Sequence, residues 1–538
     1  MIRSNILFKK SLVYLIMSTT IMGCINAPKK DQNNISTMSY SEEELYRPNF
    51  HFTPEKNWMN DPNGMFYLNG IYHLYFQYYP DDSVWGPMHW GHAVSEDLIQ
   101  WKEKPIAIYP DSLGYIFSGS AVVDHQNRSG FGKDGVAPVI AIFTYHDIEK
   151  EKKGDIDFQS QAIAYSNDEG ETWTKYSGNP VIPNTGIKDF RDPKVVWDED
   201  RGRWVMVLAT YEKTLFYASS NLKEWEYLSS FGEGVGAHDG VWECPDLFPM
   251  NVHNSDEVKW VLLQSLNPGH INGGSGTQYF IGDFDGTNFI LDEKFAQDVK
   301  IDDAIWLDYG RDNYAGVTWS NIPEKDGRTL FIGWMSNWEY AMVVPTNTWR
   351  SSMTLARELR LTKTNGSYRL ASIPVKELNK YKQTIIDTAN IEFKGEYLIY
   401  EGSKEDLSKS VIEIKLKNQN TEKYNFKLSN ENGDELDFGI DNVNSNFYID
   451  RTNSGLKDFS EKFTNTISKA LFKSPQDEIT IELILDKTSI EIFYNDGETV
   501  MTEIFFPNSP FRTLKLGTTN DSDVFLHNLK ISRLDFNN

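Results

Sequence analysis

Ser166-Asn167-Asp168-Glu169-Gly170-Glu171-Thr172-Trp173 is a polar turn that ends on a tryptophan, and its layout occurs twice more in the chain. The other copies are Ser95-Glu96-Asp97-Leu98 leading to Trp101 and Ser219-Ser220-Asn221-Leu222 leading to Trp225. Asp and Asn make such turns by accepting hydrogen bonds from backbone N–H groups a few residues on. Short apolar runs surround them, as in Trp204-Val205-Met206-Val207-Leu208-Ala209 and Phe216-Tyr217-Ala218-Ser219, which suits strands rather than helices. Recurring antiparallel units of this size read as propeller blades. One blade cannot bury both of its faces, so blades stack radially, each tryptophan fills space between neighbours, and strand-end loops gather around a central channel.

Beyond about residue 375 the texture changes. Tryptophan disappears, Lys and Asn become frequent, and alternation dominates, as in Ile479-Thr480-Ile481-Glu482-Leu483-Ile484-Leu485 and Ser489-Ile490-Glu491-Ile492-Phe493-Tyr494. Asn495-Asp496-Gly497 then supplies a hairpin turn. This reads as a β-sandwich. The expected organisation is all-β: a propeller over residues 46–372, a linker over 373–384 that includes a short helix or connector, and a sandwich over 385–538.

The chain has 538 residues, 40% of them hydrophobic and 14% aromatic, with a formal charge of -24. It can bury large cores. That charge argues against nucleic acid or an anionic membrane surface as a partner and suits a neutral substrate. At the N-terminus, Arg3, Lys9 and Lys10 precede an apolar run from Ser11 to Gly23, too short to span a bilayer comfortably and laid out like a secretory signal. Ile21-Met22-Gly23-Cys24 looks like a bacterial lipobox. Residues 1–23 are therefore expected to be a signal peptide, Cys24 a lipidated first residue, and 24–45 a tether, making a lipid anchor the protein's contact with the membrane. Ile25-Asn26-Ala27-Pro28-Lys29-Lys30 carries no acidic export tag, which favours the periplasmic side. With Cys24 committed to lipid, Cys244 has no cysteine left to pair with.

Three acidic segments stand out inside the propeller region: Trp58-Met59-Asn60-Asp61-Pro62-Asn63-Gly64, Phe190-Arg191-Asp192-Pro193 and Trp242-Glu243-Cys244-Pro245-Asp246. Each places a carboxylate just before a proline. Asp61 reads as a carboxylate held at a loop tip by the Pro-Asn-Gly turn. Cleaving a glycosidic bond takes one acid to protonate the leaving oxygen and a second carboxylate at the oxocarbenium-like centre. On separate blades, three such acids can converge at one channel mouth. The histidines show no metal-ligand pattern, His89 and His92 lying i, i+3 in strand-like sequence, so neither metal nor cofactor is expected.

These segments, together with Phe76-Gln77-Tyr78-Tyr79-Pro80, Trp85-Gly86, Phe117-Ser118-Gly119-Ser120, Asp308-Tyr309-Gly310, Gly333-Trp334-Met335-Ser336-Asn337-Trp338 and Trp349-Arg350-Ser351, make the chain resemble glycoside hydrolase family 32, the β-fructosidases. The likeness runs over roughly residues 47 to 535. It departs at Ala356, where the family often has proline, outside the acidic segments. The resemblance implies a five-bladed propeller and a retaining double displacement on a fructan, fructo-oligosaccharide or sucrose. Asp61 is then the nucleophile, Glu243 the acid and base, and Asp192 the transition-state stabiliser, with Arg191 beside it keeping that carboxylate ionised. Trp242 is expected to form part of an apolar surround for Glu243. Asn60, Gln77, Ser118 and Asp308 match positions that hydrogen-bond the fructosyl unit or the acid, and Trp85, Phe117 and Trp338 match apolar walls. Cys244 is expected to be a buried packing residue rather than a nucleophile. Trp334 to Tyr340 looks more like exo-acting levanases and inulinases than sucrose-restricted invertases. The competing readings are an endo-acting fructanase, a sialidase suggested by the Ser166–Trp173 turn, and a non-catalytic glycan-binding lipoprotein.

Overall fold

The computed structural model describes residues 41–536 apart from 365, 403–405, 419–420, 473–476 and 520–521. The expected signal peptide, Cys24 and most of the tether lie outside these residues. Five sheets form the blades, with inner strands Asn57–Leu68, Tyr115–Val123, Arg191–Asp198, Val241–Asn251 and Tyr314–Thr318. These inner strands neighbour one another in a closed ring. Trp349–Arg350, beyond the fifth inner strand, pairs in parallel with Asn57–Trp58 and laces the chain back onto the first blade.

The repeated turns fold as local chemistry requires. Asp97 Oδ1 accepts from the N–H groups of Ile99 and Gln100 at 3.1 and 2.9 Å. Asn221 Oδ1 accepts from Lys223 and Glu224, both at 3.0 Å, and Asp168 Oδ1 from Thr172 at 2.9 Å. A fourth copy escapes the tryptophan pattern: Asp285 Oδ1 accepts from Thr287 and Asn288, both at 2.7 Å, and leads to Phe289. The aromatic residue after the turn packs on the preceding blade. Trp173 meets Tyr75 edge-on at 5.6 Å, Phe289 meets Phe231 at 5.0 Å, and Trp101 stacks on Trp319 of the fifth blade at 6.2 Å, joining last blade to first.

All five inner strands share one irregularity near the catalytic end. Pairing breaks register between Met59 and Pro62, Ile116 and Gly119, Arg191 and Lys194, Glu243 and Asp246, and Tyr314 and Val317. Bulges of this kind bend a strand and re-aim its side chains. Pro62, Pro193 and Pro245 sit at three of them, where no ladder N–H is needed. Asp192 and Cys244 take left-handed backbone there, with φ of 63° and 44°, a conformation costing a non-glycine residue of order 1 kcal/mol. The loop-tip expectation for Asp61 is therefore corrected: Asn57–Leu68 is one continuous strand, and its proline serves a bulge rather than a turn. Gly64 has φ 52°, and a Cβ there would meet the Trp90 ring at 2.5 Å. The Asn-Gly pair thus permits close strand packing.

The C-terminal region is a sandwich of two six-stranded sheets whose inner faces bury Leu416, Phe426, Phe438, Ile481, Leu514 and Leu526. A 3-10 turn, Lys376–Tyr381, leads into it, and strand Lys382–Lys394 follows directly. Asn495, Asp496 and Gly497 all have positive φ, as their hairpin between Ser489–Tyr494 and Thr499–Ile504 requires. The seam with the propeller combines an apolar cluster, in which Val411, Ile484 and Phe493 of the sandwich pack with Leu330, Ile332 and Leu355, with a buried ion-paired network. Arg357 donates to Asp308 at 2.9 Å and to Glu491, while His51 lies 2.9 Å from Asp486 and 2.7 Å from Glu491.

Candidate active site

Asp61, Asp192 and Glu243 come from the first, third and fourth inner strands and converge at one end of the channel. Asp61 is held from two sides: Ser118 Oγ donates to its Oδ2 at 2.6 Å, and Asn60 Nδ2 to its Oδ1 at 3.0 Å. Trp58 Nε1 donates to Asn60 Oδ1 at 2.8 Å, which turns the amide nitrogen of Asn60 toward the carboxylate. Asp192 accepts from the backbone N–H of Cys244 at 3.0 Å, and its own N–H donates to Thr144 Oγ1 at 3.0 Å. The Cys244 sulfur lies 3.6 Å from Asp61 Oδ2 and 3.7 Å from Asp192 Oδ2, so one small residue spaces the two acids. Arg191 donates to Glu243 Oε1 at 2.9 Å and to Asp189 at 2.8 Å, and Tyr314 donates its hydroxyl to Glu243 Oε2.

Electrostatics follow from enclosure. Burial raises the Asp61 pKa, with help from the Glu243 charge, against the hydrogen bonds from Ser118 and Asn60. Burial raises Asp192 to about 7, and the charges of Glu243 and Asp61 add to this while Arg191 opposes it. Arg191 thus acts on Asp192 in the expected direction but is outweighed by burial: it comes no nearer than 3.8 Å in its ion pair, and its short contacts go to Glu243 and Asp189. Burial pushes the Cys244 thiol up, with the Asp192 and Asp61 charges adding, so the thiol stays neutral and packs. Tyr314 is likewise pushed up by burial and by Glu243, and remains a hydroxyl donor.

Of the other expected residues, Asn60, Ser118 and Arg191 contact the acids directly, and Gln77 stands one step behind. Its Nε2 donates to Asn63 Oδ1 at 2.7 Å. Trp85 meets Phe117 edge-on at 6.1 Å, Phe117 stacks on His146 at 4.2 Å, and Trp338 lies 5.8 Å from Trp58, forming an aromatic wall. Asp308 is not brought to this cluster. Its two oxygens are taken by Gly310 N, Thr502 N, Thr502 Oγ1, Asn313 and Arg357, at the seam with the sandwich. Trp242 is also corrected: strand alternation points it away from Glu243, where it is fully buried, stacks on His238 and donates to Ala237 O. The residues missed are Tyr314, Asp189 and Thr144. Tyr314 could have been found from symmetry, because the fifth inner strand must also present a side chain at the mouth. Among the described residues no group of three or more His, Cys, Asp or Glu side chains is placed to hold a metal ion.

With that geometry in place, the comparisons are specific. Residues 51–374 match the glycosyl hydrolases family 32 N-terminal domain and residues 374–533 the family's C-terminal domain. The chain belongs to glycosyl hydrolase family 32 and is a glycosidase. It is 46% identical over 484 residues to the levanase of Bacillus subtilis, covering 90% of this chain and 69% of that protein. It is similar to the crystal structure of the exo-inulinase of Aspergillus awamori, with TM-score 0.82, 33% identity and coverage of 92% and 99%. It is equally similar to a fructofuranosidase of Schwanniomyces occidentalis complexed with fructosylnystose, with TM-score 0.82, 35% identity and coverage of 93% and 99%.

Proposed function

We propose that the protein releases fructose from the ends of β-fructans, fructo-oligosaccharides or sucrose by a retaining double displacement. The observation that carries this is the convergence of Asp61, Asp192 and Glu243 on bulged inner strands, bridged by Cys244 and Arg191. Asp61 attacks the anomeric carbon, and Ser118 and Asn60 aim its oxygens. Glu243 protonates the leaving oxygen and then activates water. Arg191 and Tyr314 hold one oxygen of Glu243 each, which fixes the plane of the carboxyl group that gives up and takes back the proton. Asp192, anchored by the Cys244 N–H, holds fructosyl hydroxyls as charge develops. Relatives named levanase and exo-inulinase support exo action on fructan. Product analysis on levan, inulin and sucrose tests it: free fructose is expected as the first product from the polymers and fructose with an equal amount of glucose from sucrose, and oligosaccharides as the first products from the polymers would make the enzyme endo-acting.

The reading includes location. Acylation at Cys24, motivated by Arg3, Lys9 and Lys10, the apolar run and Ile-Met-Gly-Cys, tethers the enzyme to a membrane, since each buried methylene contributes about 0.8 kcal/mol and several acyl chains hold firmly. Cys24→Ala is expected to abolish palmitate labelling and release the protein from the membrane fraction. An unlabelled, fully soluble wild-type protein would end this part alone.

A further inference from the structure

Strands packed against the acid-bearing bulges bury four polar side chains where apolar ones would be the rule: Thr144, Gln161, Thr214 and Gln264 are all fully enclosed. Their placement follows the bulges. Glu243 pairs with Ser265 and Asp246 with Leu263, which leaves Gln264 facing Cys244 and Pro245 across the break in register. Thr144 stands in the same relation to Phe117 and Ser118 in the second blade. A bulge interrupts the ladder and deprives backbone groups of their strand partners, and a buried side-chain amide can replace those partners.

Gln264 Nε2 donates to the Glu243 carbonyl at 2.8 Å, and Thr214 Oγ1, from the third blade, donates to Gln264 Oε1 at 2.5 Å. The two ends of a glutamine amide have nearly the same shape, so the Thr214 hydroxyl decides that the nitrogen faces Glu243. A twin of this device serves Asp192. Gln161 Nε2 donates to the Phe190 carbonyl at 2.9 Å, and Thr144 Oγ1 donates to Gln161 Oε1 at 2.7 Å while accepting from the Asp192 N–H at 3.0 Å. What Gln264 grips is the link between two of the acids. The Glu243 carbonyl and the Cys244 N–H belong to one planar peptide unit, held by Gln264 at its oxygen and by Asp192 Oδ2, 3.0 Å away, at its nitrogen. The Glu243 side chain projects from one end of that plane. The other end enters Cys244 with a left-handed φ of 44°, and such backbone persists only where its surroundings over-determine it.

We infer that Gln264, oriented by Thr214, is a positioning residue that aims the Glu243 acid through the Glu243–Cys244 peptide. This deepens the proposed function and rests on Glu243 being the acid. Without the amide the peptide plane is held at its nitrogen alone, and it turns the carboxyl group away from the leaving oxygen.

The test compares sucrose with a fructoside whose leaving group departs without acid assistance, using the full chain. Thr214→Val keeps the shape of the side chain and removes its hydroxyl. Its kcat/KM on sucrose should fall about ten- to a hundredfold, the cost of a small misplacement, with a much smaller fall on the activated fructoside. Thr214→Ser, which restores the hydroxyl and lacks the methyl, should recover the sucrose rate. Packing alone predicts the opposite order: the serine variant melts lower, and neither variant changes the rate of the folded enzyme. Gln264→Met, similar in length and without the amide, should reproduce Thr214→Val, and if it does not fold the two threonine variants decide. An unchanged sucrose rate in folded Thr214→Val, or a fall of equal size on the two substrates, overturns the inference. Glu243→Ala measured alongside separates the two levels. Sucrose hydrolysis retained there ends the acid reading and the inference with it, whereas hydrolysis lost there and unchanged in Thr214→Val leaves the acid reading standing and overturns the inference alone.

Discussion

The mouth of the propeller and its seam with the sandwich both gather buried carboxylates, yet the two regions treat them in opposite ways. At the mouth, burial and the neighbouring carboxylate charges raise the pKa of Asp61 and take Asp192 to about 7, while Arg191 makes its short contacts to Glu243 and Asp189. At the part of the seam around His51 and Arg357, burial acts in the same direction but is outweighed. Arg357 and His51 bring Glu491 down to about 2, and His51 with the backbone N–H groups of Asn49 and Lys487 lowers Asp486. His51 itself is raised to about 9 by the two acids it bridges, against its own burial. Residue type and burial are alike in the two regions, and the cationic partners differ. A carboxylate fully paired is a structural element, whereas one left short of partners stores the charge instability that catalysis uses.

The largest effect separating the regions is on turnover. Glu243→Ala should lower kcat by several orders of magnitude with folding intact, since general acid catalysis alone contributes about 10²- to 10⁴-fold; steady-state kinetics on sucrose and thermal melts of the same sample check this. Next comes stability at the seam. Arg357→Ala leaves Asp308 buried without its cation and Glu491 with His51 alone, which costs about 3–5 kcal/mol, and denaturant titration should show that loss.

A smaller effect runs the other way at the mouth. The Asp192 pKa is raised from 3.8 to about 7, so its contribution to stability is fully present below the unfolded value and is lost as pH rises through about 7. Asp192→Asn should therefore melt higher than wild type at pH 8 and close to it at pH 4, while losing activity. Equal melting shifts at both pH values would show that the buried charge carries no such cost. The smallest effect belongs to Tyr314→Phe, which removes one hydrogen bond from Glu243 Oε2. About a tenfold loss in kcat is expected, the worth of one hydrogen bond to a charged group, together with a displaced pH–rate profile that a purely packing role would not give.

Much of this was legible in the sequence where the cause is local. The Asp97, Asp168 and Asn221 turns could be read because each bonds its own backbone, and the fourth was hidden only because Phe289 stands where the others have tryptophan. The three acids were visible through the prolines that follow them, although Pro62 marks a strand bulge and not the turn it suggested. Asp308 was misplaced because a position in a motif does not say which surface it faces, and its partners Thr502 and Arg357 are remote in the chain. Tyr314 had no local mark at all. Trp242 was an error that strand alternation alone could have prevented, since neighbours in a strand face opposite ways.

The central claim is that the acids at the mouth, where Asp61 and Asp192 lack a close cation, react and that the ion-paired acids Glu491 and Asp486 at the seam do not. The most direct measurement is mass spectrometry of Glu243→Ala after mixing with a fructoside whose leaving group departs without acid assistance, because the glycosyl-enzyme then accumulates for want of a base. The account predicts one added fructosyl unit on the peptide containing Asp61. A folded, substrate-bound protein with no adduct, or an adduct on Asp192 in place of Asp61, would contradict it.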